Sequence, residues 1–277
     1  MSEATSDRKP RFAAVRRVGA QVDEILCSAG FSVALLFRTA AALRYLPRRR
    51  RFFLDAAHAA GVKSLPVSLV VALFAGMILA LQTGIELRRL GQSDLIGSIL
   101  ALSMCREMGP FMTGIILAAT VGSAIAAEVG TMKVSDEVTA LDVMSIDAAN
   151  YIVLPRVAAM TLMCPAVTVV TDLVGIAGGA VVSHFHLGIT QQTYWLAARE
   201  SLTSTTSILP KDVYVGLVKA IVFGCTIATV SCAAGLRAGG GALGVGRAVQ
   251  RAVMSSIILI IVLGYAITWL FYFLLPE

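Results

Sequence analysis

The sequence predicts an all-α integral membrane protein with an N-terminal interfacial helix, five transmembrane helices and a short cytoplasmic helix between the second and third crossings. Three observations carry this. The chain is 57% hydrophobic and only 14% charged, with a mean hydropathy of +0.81, whereas soluble domains are about a quarter charged. Several apolar runs approach the roughly 20 residues needed to cross a hydrocarbon core about 30 Å thick. The alternating ten-residue segments of an outer-membrane barrel are missing.

Positive charge is uneven. Eleven of the 23 Lys and Arg lie between Arg8 and Arg51, ending in the run Arg48, Arg49, Arg50 and Arg51. In a membrane protein this pattern marks cytoplasmic, headgroup-facing sequence rather than a nucleic-acid surface. Residues 1–50 therefore form a basic tail followed by an amphipathic stretch. Val15, Val18, Val22, Ile25 and Leu26 recur there at helical spacing. The apolar piece after Gly30 is too short to span, and Arg38 and Arg44 make a full crossing costly, so an interfacial position is expected.

Residues 51–277 form the transmembrane domain. The first crossing is expected over Leu65–Leu81, ended by Gln82 and Gly84, with a polar loop from Glu86 to Asp94. Gly76 and Ala80 on it form a small-xxx-small pair suited to close helix approach. Ile96–Ala127 is too long for one ordinary span, and Arg106, Glu107 and Pro110 interrupt it. Either a long helix kinks at Pro110, or a short apolar entry precedes a span from Phe111. Ala118, Gly122 and Ala126 mark a second close-packing face. The third, fourth and fifth crossings are read at Val157–Val182, Val213–Ala234 and Ala252–Leu275. A polar loop through His184, His186 and Trp195 precedes the fourth, and a glycine-rich turn precedes the fifth.

With the N-terminus inside, inside segments hold 16 Lys and Arg and outside segments four. This predicts a cytoplasmic N-terminus and a periplasmic C-terminus. It also places residues 128–156 in the cytoplasm, where their composition is unusual. Glu128, Asp136, Glu137, Asp142 and Asp147 stand against Lys133 and Arg156. Ser135 is suited to cap a short helix, with Asp136 and Glu137 in its favourable first turn. Val138, Leu141 and Met144 give that helix an apolar stripe. A helix so short is marginal alone, so it must dock, either on its own spans or on a cytoplasmic partner. Docking of such a helix into a motor subunit is how ABC permeases receive ATPase motion.

Arg106 and Glu107 are the foremost intramembrane candidates. They either pair in a wet or lipid-lined cavity, or snorkel from an interfacial helix start. Asp172, flanked by Thr168 and Thr171, is expected to make a structural hydrogen bond. Gly239–Gly244 matches GxGxxG, but no strand precedes it, and no GxxxxGK[ST] occurs to bind ATP. Cysteine and histidine spacings offer no metal site, and no cofactor or catalytic constellation is apparent. A competing reading is a self-sufficient secondary transporter or channel with Arg106, Glu107 and Asp172 as an ion path. The lack of an internal repeat argues against it.

REMGPFMTGIILA, VGSAIAAEVGTMKVSDEVTALDVMSID and YIVLPR, with the C-terminal GVGRAVQRAVMSSIILIIVL, resemble the MlaE (YrbE-type) permeases, the membrane subunits of MCE-associated ABC transporters. The resemblance spans roughly residues 50–275. It implies a homodimer in the inner membrane that moves phospholipid or a similar hydrophobic lipid between that membrane and the cell envelope. The implied partners are a cytoplasmic ABC ATPase, which hydrolyses the ATP, a periplasmic MCE-domain protein and a small STAS-domain protein. By position it puts Arg106 and Glu107 near a lipid pocket at the dimer interface. Glu128, Lys133, Asp136, Glu137, Val138, Leu141 and Met144 fall in the ATPase-coupling region. Thr120 and Gly264 depart from the family pattern, which usually has Arg at the first place and commonly an acid at the second.

Overall fold

The computed structural model describes residues 27–42, 49–203 and 211–274. The expected tail and amphipathic stretch before Cys27, and the arginines Arg44 and Arg48, lie outside them. Among the described residues the chain is helical with no strand, and five helical runs are long and apolar enough to cross a membrane. Helix α1 (Cys27–Ala41) is apolar but short. It buries Leu35 and Thr39, and Leu35 joins the larger core cluster.

The first crossing is longer than the apolar run predicts. Helices α2 (Arg50–Gly61) and α3 (Leu65–Arg89) follow each other with a break at Val62–Ser64. Together they run parallel to α8 (Leu154–Leu187): Gly61 faces Met163, Gly76 faces the Gly175 backbone and Gly84 faces Leu187. A Cβ on Gly76 would overlap the Gly175 carbonyl, so the small-residue face does bring two backbones into contact. The 12 and 25 residues of the two helices extend about 55 Å at 1.5 Å each, so this run outreaches a bilayer core about 30 Å thick. The expected loop from Glu86 is instead the last turn of α3, where Arg88 and Arg89 favour the helix dipole and Arg89 pairs with Glu86 at 3.0 Å.

The second crossing resolves the alternatives at Pro110. Helix α4 (Ile96–Ser103) passes through a widened, π-type turn at Met104–Met108 into α5 (Gly109–Leu117). Pro110 follows directly in a helix that continues through the turn; having no N–H, it leaves the Arg106 carbonyl four residues back without its usual helical donor. A second widened turn at Ala118–Gly122 leads into α6 (Ser123–Val134). Such turns commonly sit at functional positions. Ala118 and Ala126 are fully buried, and Gly122 abuts Ile227 and Ser231.

A sharp turn at Asp136 (φ 61°) starts α7 (Glu137–Val143), and Ser145 (φ 57°) ends it. Another widened turn at Ala149–Val153 enters α8. The expected polar loop after α8 is mostly helix: α8 continues through His184 and His186, and α9 (Gln191–Thr203) folds back onto α4. There Ser98 donates to the Ala197 carbonyl at 2.9 Å. Buried Tyr194 donates to the Ile176 carbonyl at 2.8 Å, and its burial pushes the phenol pKa up.

Helices α10 (Lys211–Leu236) and α11 (Gly241–Trp269) complete the bundle and meet at a turn where Gly240 and Gly241 take φ of 82° and 73°. The glycine motif is thus turn geometry. Gly216 rests on the Cys105 carbonyl and Gly224 on the Met160 carbonyl, so α10 is wedged between the second and third crossings. Successive crossings alternate in direction. One end of the bundle carries the connector 135–153 and Arg50; the other carries α9, Lys211 and the end of α11.

Candidate functional site

The widened turn at Met104–Met108 turns Arg106 and Glu107 towards α10 and α11 rather than towards α8. Lys219, only 1% exposed, reaches out of the apolar body of α10. Its Nζ donates to Glu107 Oε1 at 2.6 Å and to the Arg106 carbonyl at 3.0 Å, a carbonyl whose ordinary helical pairing the widened turn disturbs. The Thr268 hydroxyl lies 2.9 Å from both Glu107 Oε1 and the Gly264 carbonyl. A buried ammonium needs a partner and saturated hydrogen bonds, and Glu107 and the bulge supply both.

Arg106 is arranged differently. Its guanidinium stacks 3.7 Å from the centre of the Tyr272 ring, and its Nε lies 3.7 Å from Asp212 Oδ1. Tyr272 in turn donates to Asp212. The group is charge-balanced: Arg106 and Lys219 against Glu107 and Asp212. Lys219 is sealed in, whereas the side chains of Arg106 and Glu107 remain 39% and 43% exposed.

Beneath this group lies a cavity of about 310 Å³ whose apolar wall includes Phe111, Phe223, Ile260 and Ile261. Glu107, Lys219 and Thr268 give it a polar side opposite that apolar wall. Gly264 also lines it. A Cβ there would sit 3.3 Å from Phe223, so the departure from an acidic residue widens the wall and leaves Glu107 as the carboxylate lining it.

Asp172 is not part of this group. The expected structural hydrogen bond is not seen among the described residues, and the flanking Thr171 bonds Thr113 at 2.8 Å and the Thr168 carbonyl instead. Asp172 lies against Gly109, and its Oδ1 has no hydrogen-bond partner among the described residues. Thr120 is exposed and bonds back to the Ile116 carbonyl. Among the described residues no cluster of His, Cys, Asp or Glu is placed to hold a metal ion; His184 faces the Ile189 carbonyl.

Lys219, Asp212, Thr268 and Tyr272 were not candidates on sequence. Lys219 alone carried a usable signal, as a lone cation inside an apolar run that must find an anion.

The connector residues divide. Glu128, 61% exposed, pairs with Arg156 at 3.1 Å, and Arg156 also donates to the Ile152 carbonyl at 2.9 Å. Lys133 sits half-buried in the last turn of α6. Ser135 does not cap α7. It ends α6, its hydroxyl 2.9 Å from the Thr131 carbonyl and 3.0 Å from Glu137 Oε1, while left-handed Asp136 takes the cap position without a side-chain bond. The apolar stripe also splits. Val138 is buried and Leu141 packs against the core, but α7 stops at Val143, so Met144 falls off the stripe and is 60% exposed beside Val143 at 82%. The helix therefore docks one side on its own bundle and shows Asp136, Glu137, Asp142, Val143 and Met144 outwards.

Crossings of alternating direction, close glycine contacts and a side-chain pocket built between spans define a polytopic membrane protein of the permease type. The chain belongs to the MlaE permease family: residues 53–270 match the family described as Permease MlaE. It is 42% identical over 213 residues to a probable ABC transporter permease protein of Rickettsia bellii, covering 76% of this chain and 80% of that one. It is 28% identical over 257 residues, 92% of this chain and 95% of the other, to the intermembrane phospholipid transport system permease protein MlaE of Haemophilus influenzae. The chloroplastic protein TRIGALACTOSYLDIACYLGLYCEROL 1 of Arabidopsis thaliana is 36% identical over 212 residues, 76% of this chain and 59% of that protein.

Proposed function

We propose that this chain is the membrane subunit of an ABC transporter that moves phospholipid between the inner membrane and the cell envelope. The observation that carries the reading is the charge-balanced group of Arg106, Glu107, Lys219 and Asp212 set over an apolar cavity. A zwitterionic or anionic headgroup exchanges with the exposed faces of Arg106 and Glu107, and the acyl chain follows the wall of Phe111, Phe223 and Ile260. Buried Lys219 fixes Glu107 so that the head of the site keeps its geometry. Family membership and the phospholipid transport named for the Haemophilus relative support the cargo class.

In this reading the protein works as a homodimer, with its pockets facing a shared lipid cavity and its N-terminus in the cytoplasm. ATP binding to a cytoplasmic ABC ATPase draws the two connectors together through Asp136, Glu137, Asp142, Val143 and Met144. Glu128, Lys133, Val138 and Leu141 transmit the motion to α6 and the bundle. The cavity closes, and the lipid passes to a periplasmic MCE-domain partner, with a STAS-domain protein as a further subunit. The tagged full chain, isolated in mild detergent from its native membrane, should carry an ATPase, an MCE-domain protein and phospholipid, all identified by mass spectrometry. A lone chain from membranes that contain the ATPase would overturn the assignment.

A further inference from the structure

A second pair of cavities lies at the other end of the bundle. Helices α2 and α6 flank the start of α8 with a gap between them. One cavity of about 330 Å³ occupies the gap, its surface mostly apolar around Ala59 and Ala124 but shared with Asp55, Lys63, Glu128 and Arg156. A neighbouring cavity of about 570 Å³ is mixed, lined by Arg49, Ser145, Asp147 and Asn150 together with apolar Ile146. Phe52 and Tyr151 belong to both and form the neck, their ring centres 5.6 Å apart. The Arg49 guanidinium lies 4.4 Å over the Tyr151 ring. One face of the guanidinium is thereby fixed, and its N–H edge is left to donate.

Arg49, the arginine at this neck, and the two that follow it do nothing for the helix they begin. Arg49, Arg50 and Arg51 stand at the N-terminus of α2, where the helix dipole disfavours cations by about 0.3–1 kcal/mol each. No acidic residue sits in that first turn to offset them. Positive charge held against the dipole, beside an aromatic neck and a mostly apolar slot, suits an anion attached to an apolar chain, with Asp147 lining the same cavity as Arg49.

We propose that these joined cavities bind one phosphate-bearing membrane lipid, with its phosphate at Arg49 and Asn150 and an acyl chain between α2 and α6. The site is separate from the Arg106–Lys219 pocket and does not depend on the transport reading. Its occupant touches Ser145 and Tyr151, which bound the connector, and approaches Glu128 and Arg156. Bound lipid therefore braces the connector against α2, so that the connector's position responds to the composition of the adjacent leaflet.

The test uses the full chain in detergent with phosphatidylglycerol carrying a photoactivatable acyl chain, and labelled peptides are mapped by mass spectrometry. Label is expected on peptides containing Ala59, Ala124 and Met160. Arg49→Ala should lower it about tenfold, the loss of one charge-assisted contact, and Ala124→Phe should lower it by filling the slot. An unchanged thermal unfolding midpoint and gel-filtration profile report that both variants are folded. Equal labelling by a photoactivatable diacylglycerol, or labelling indifferent to Arg49→Ala, would overturn the phosphate assignment. No label in the slot, or label only after removal of residues 1–26, would show that no lipid belongs there in the intact chain.

Discussion

Of the ion pairs that join different crossings among the described residues, two differ sharply in what their surroundings allow. Glu107–Lys219 has one partner buried to 1% and a contact of 2.6 Å, with a second donor, Thr268, on the same carboxylate oxygen. Glu128–Arg156 is at 3.1 Å, with its acid 61% exposed and its arginine 21% exposed. The first pair cannot open without stranding a charge inside the membrane domain. The second can open into solvent at little cost. A fixed pair suits a pocket that must keep its shape, and a breakable pair suits an element that must move.

Substitutions sharpen the contrast. Glu107→Ala should destabilise the protein by about 3–5 kcal/mol, because Lys219 is left buried and unpaired. Adding Lys219→Met should recover most of that loss, a non-additivity readable as a double-mutant cycle in thermal unfolding. Gly76→Val tests packing without charge: the added side chain meets the Gly175 carbonyl, and overpacking of about 1–3 kcal/mol is expected. Glu128→Gln should cost under about 1 kcal/mol in stability, yet lower transport in reconstituted vesicles severalfold if the pair transmits connector motion. If Glu128→Gln destabilised as much as Glu107→Ala, the distinction between fixed and breakable pairs would fail. Thr113→Val, which removes the bond to Thr171, should have the smallest effect, about 0.6 kcal/mol.

What the sequence made legible follows from which signals are local. Apolar runs announce crossings by length, so five were readable, and the small residues Gly76, Ala118, Gly122 and Ala126 announced where helices touch. The extensions were not readable. Residues 50–61 and 184–187 carry Arg, Asp and His; they are helical because α2 packs on the first half of α8 and Leu187 packs on α3, not because they are apolar. Arg106 and Glu107 stood out as charges in a greasy segment. Their partners are more than a hundred residues away in sequence, and periodicity carries no information across such a gap. In α7 the three-residue spacing of Val138, Leu141 and Met144 promised one stripe, but the helix ended before Met144.

The central claim is that the Arg106–Glu107–Lys219 pocket holds a lipid. A photocrosslinking amino acid placed at Tyr265, exposed on the pocket wall, tests it in membranes containing phosphorus-radiolabelled phospholipid. The account predicts label on the chain at Tyr265 well above that at Leu173, an exposed position that does not line the pocket. It also predicts a fall of about tenfold when Glu107→Gln and Lys219→Met are combined, one tenfold step being about 1.4 kcal/mol of headgroup contact. Equal labelling at Tyr265 and Leu173, unchanged by those substitutions, would contradict it.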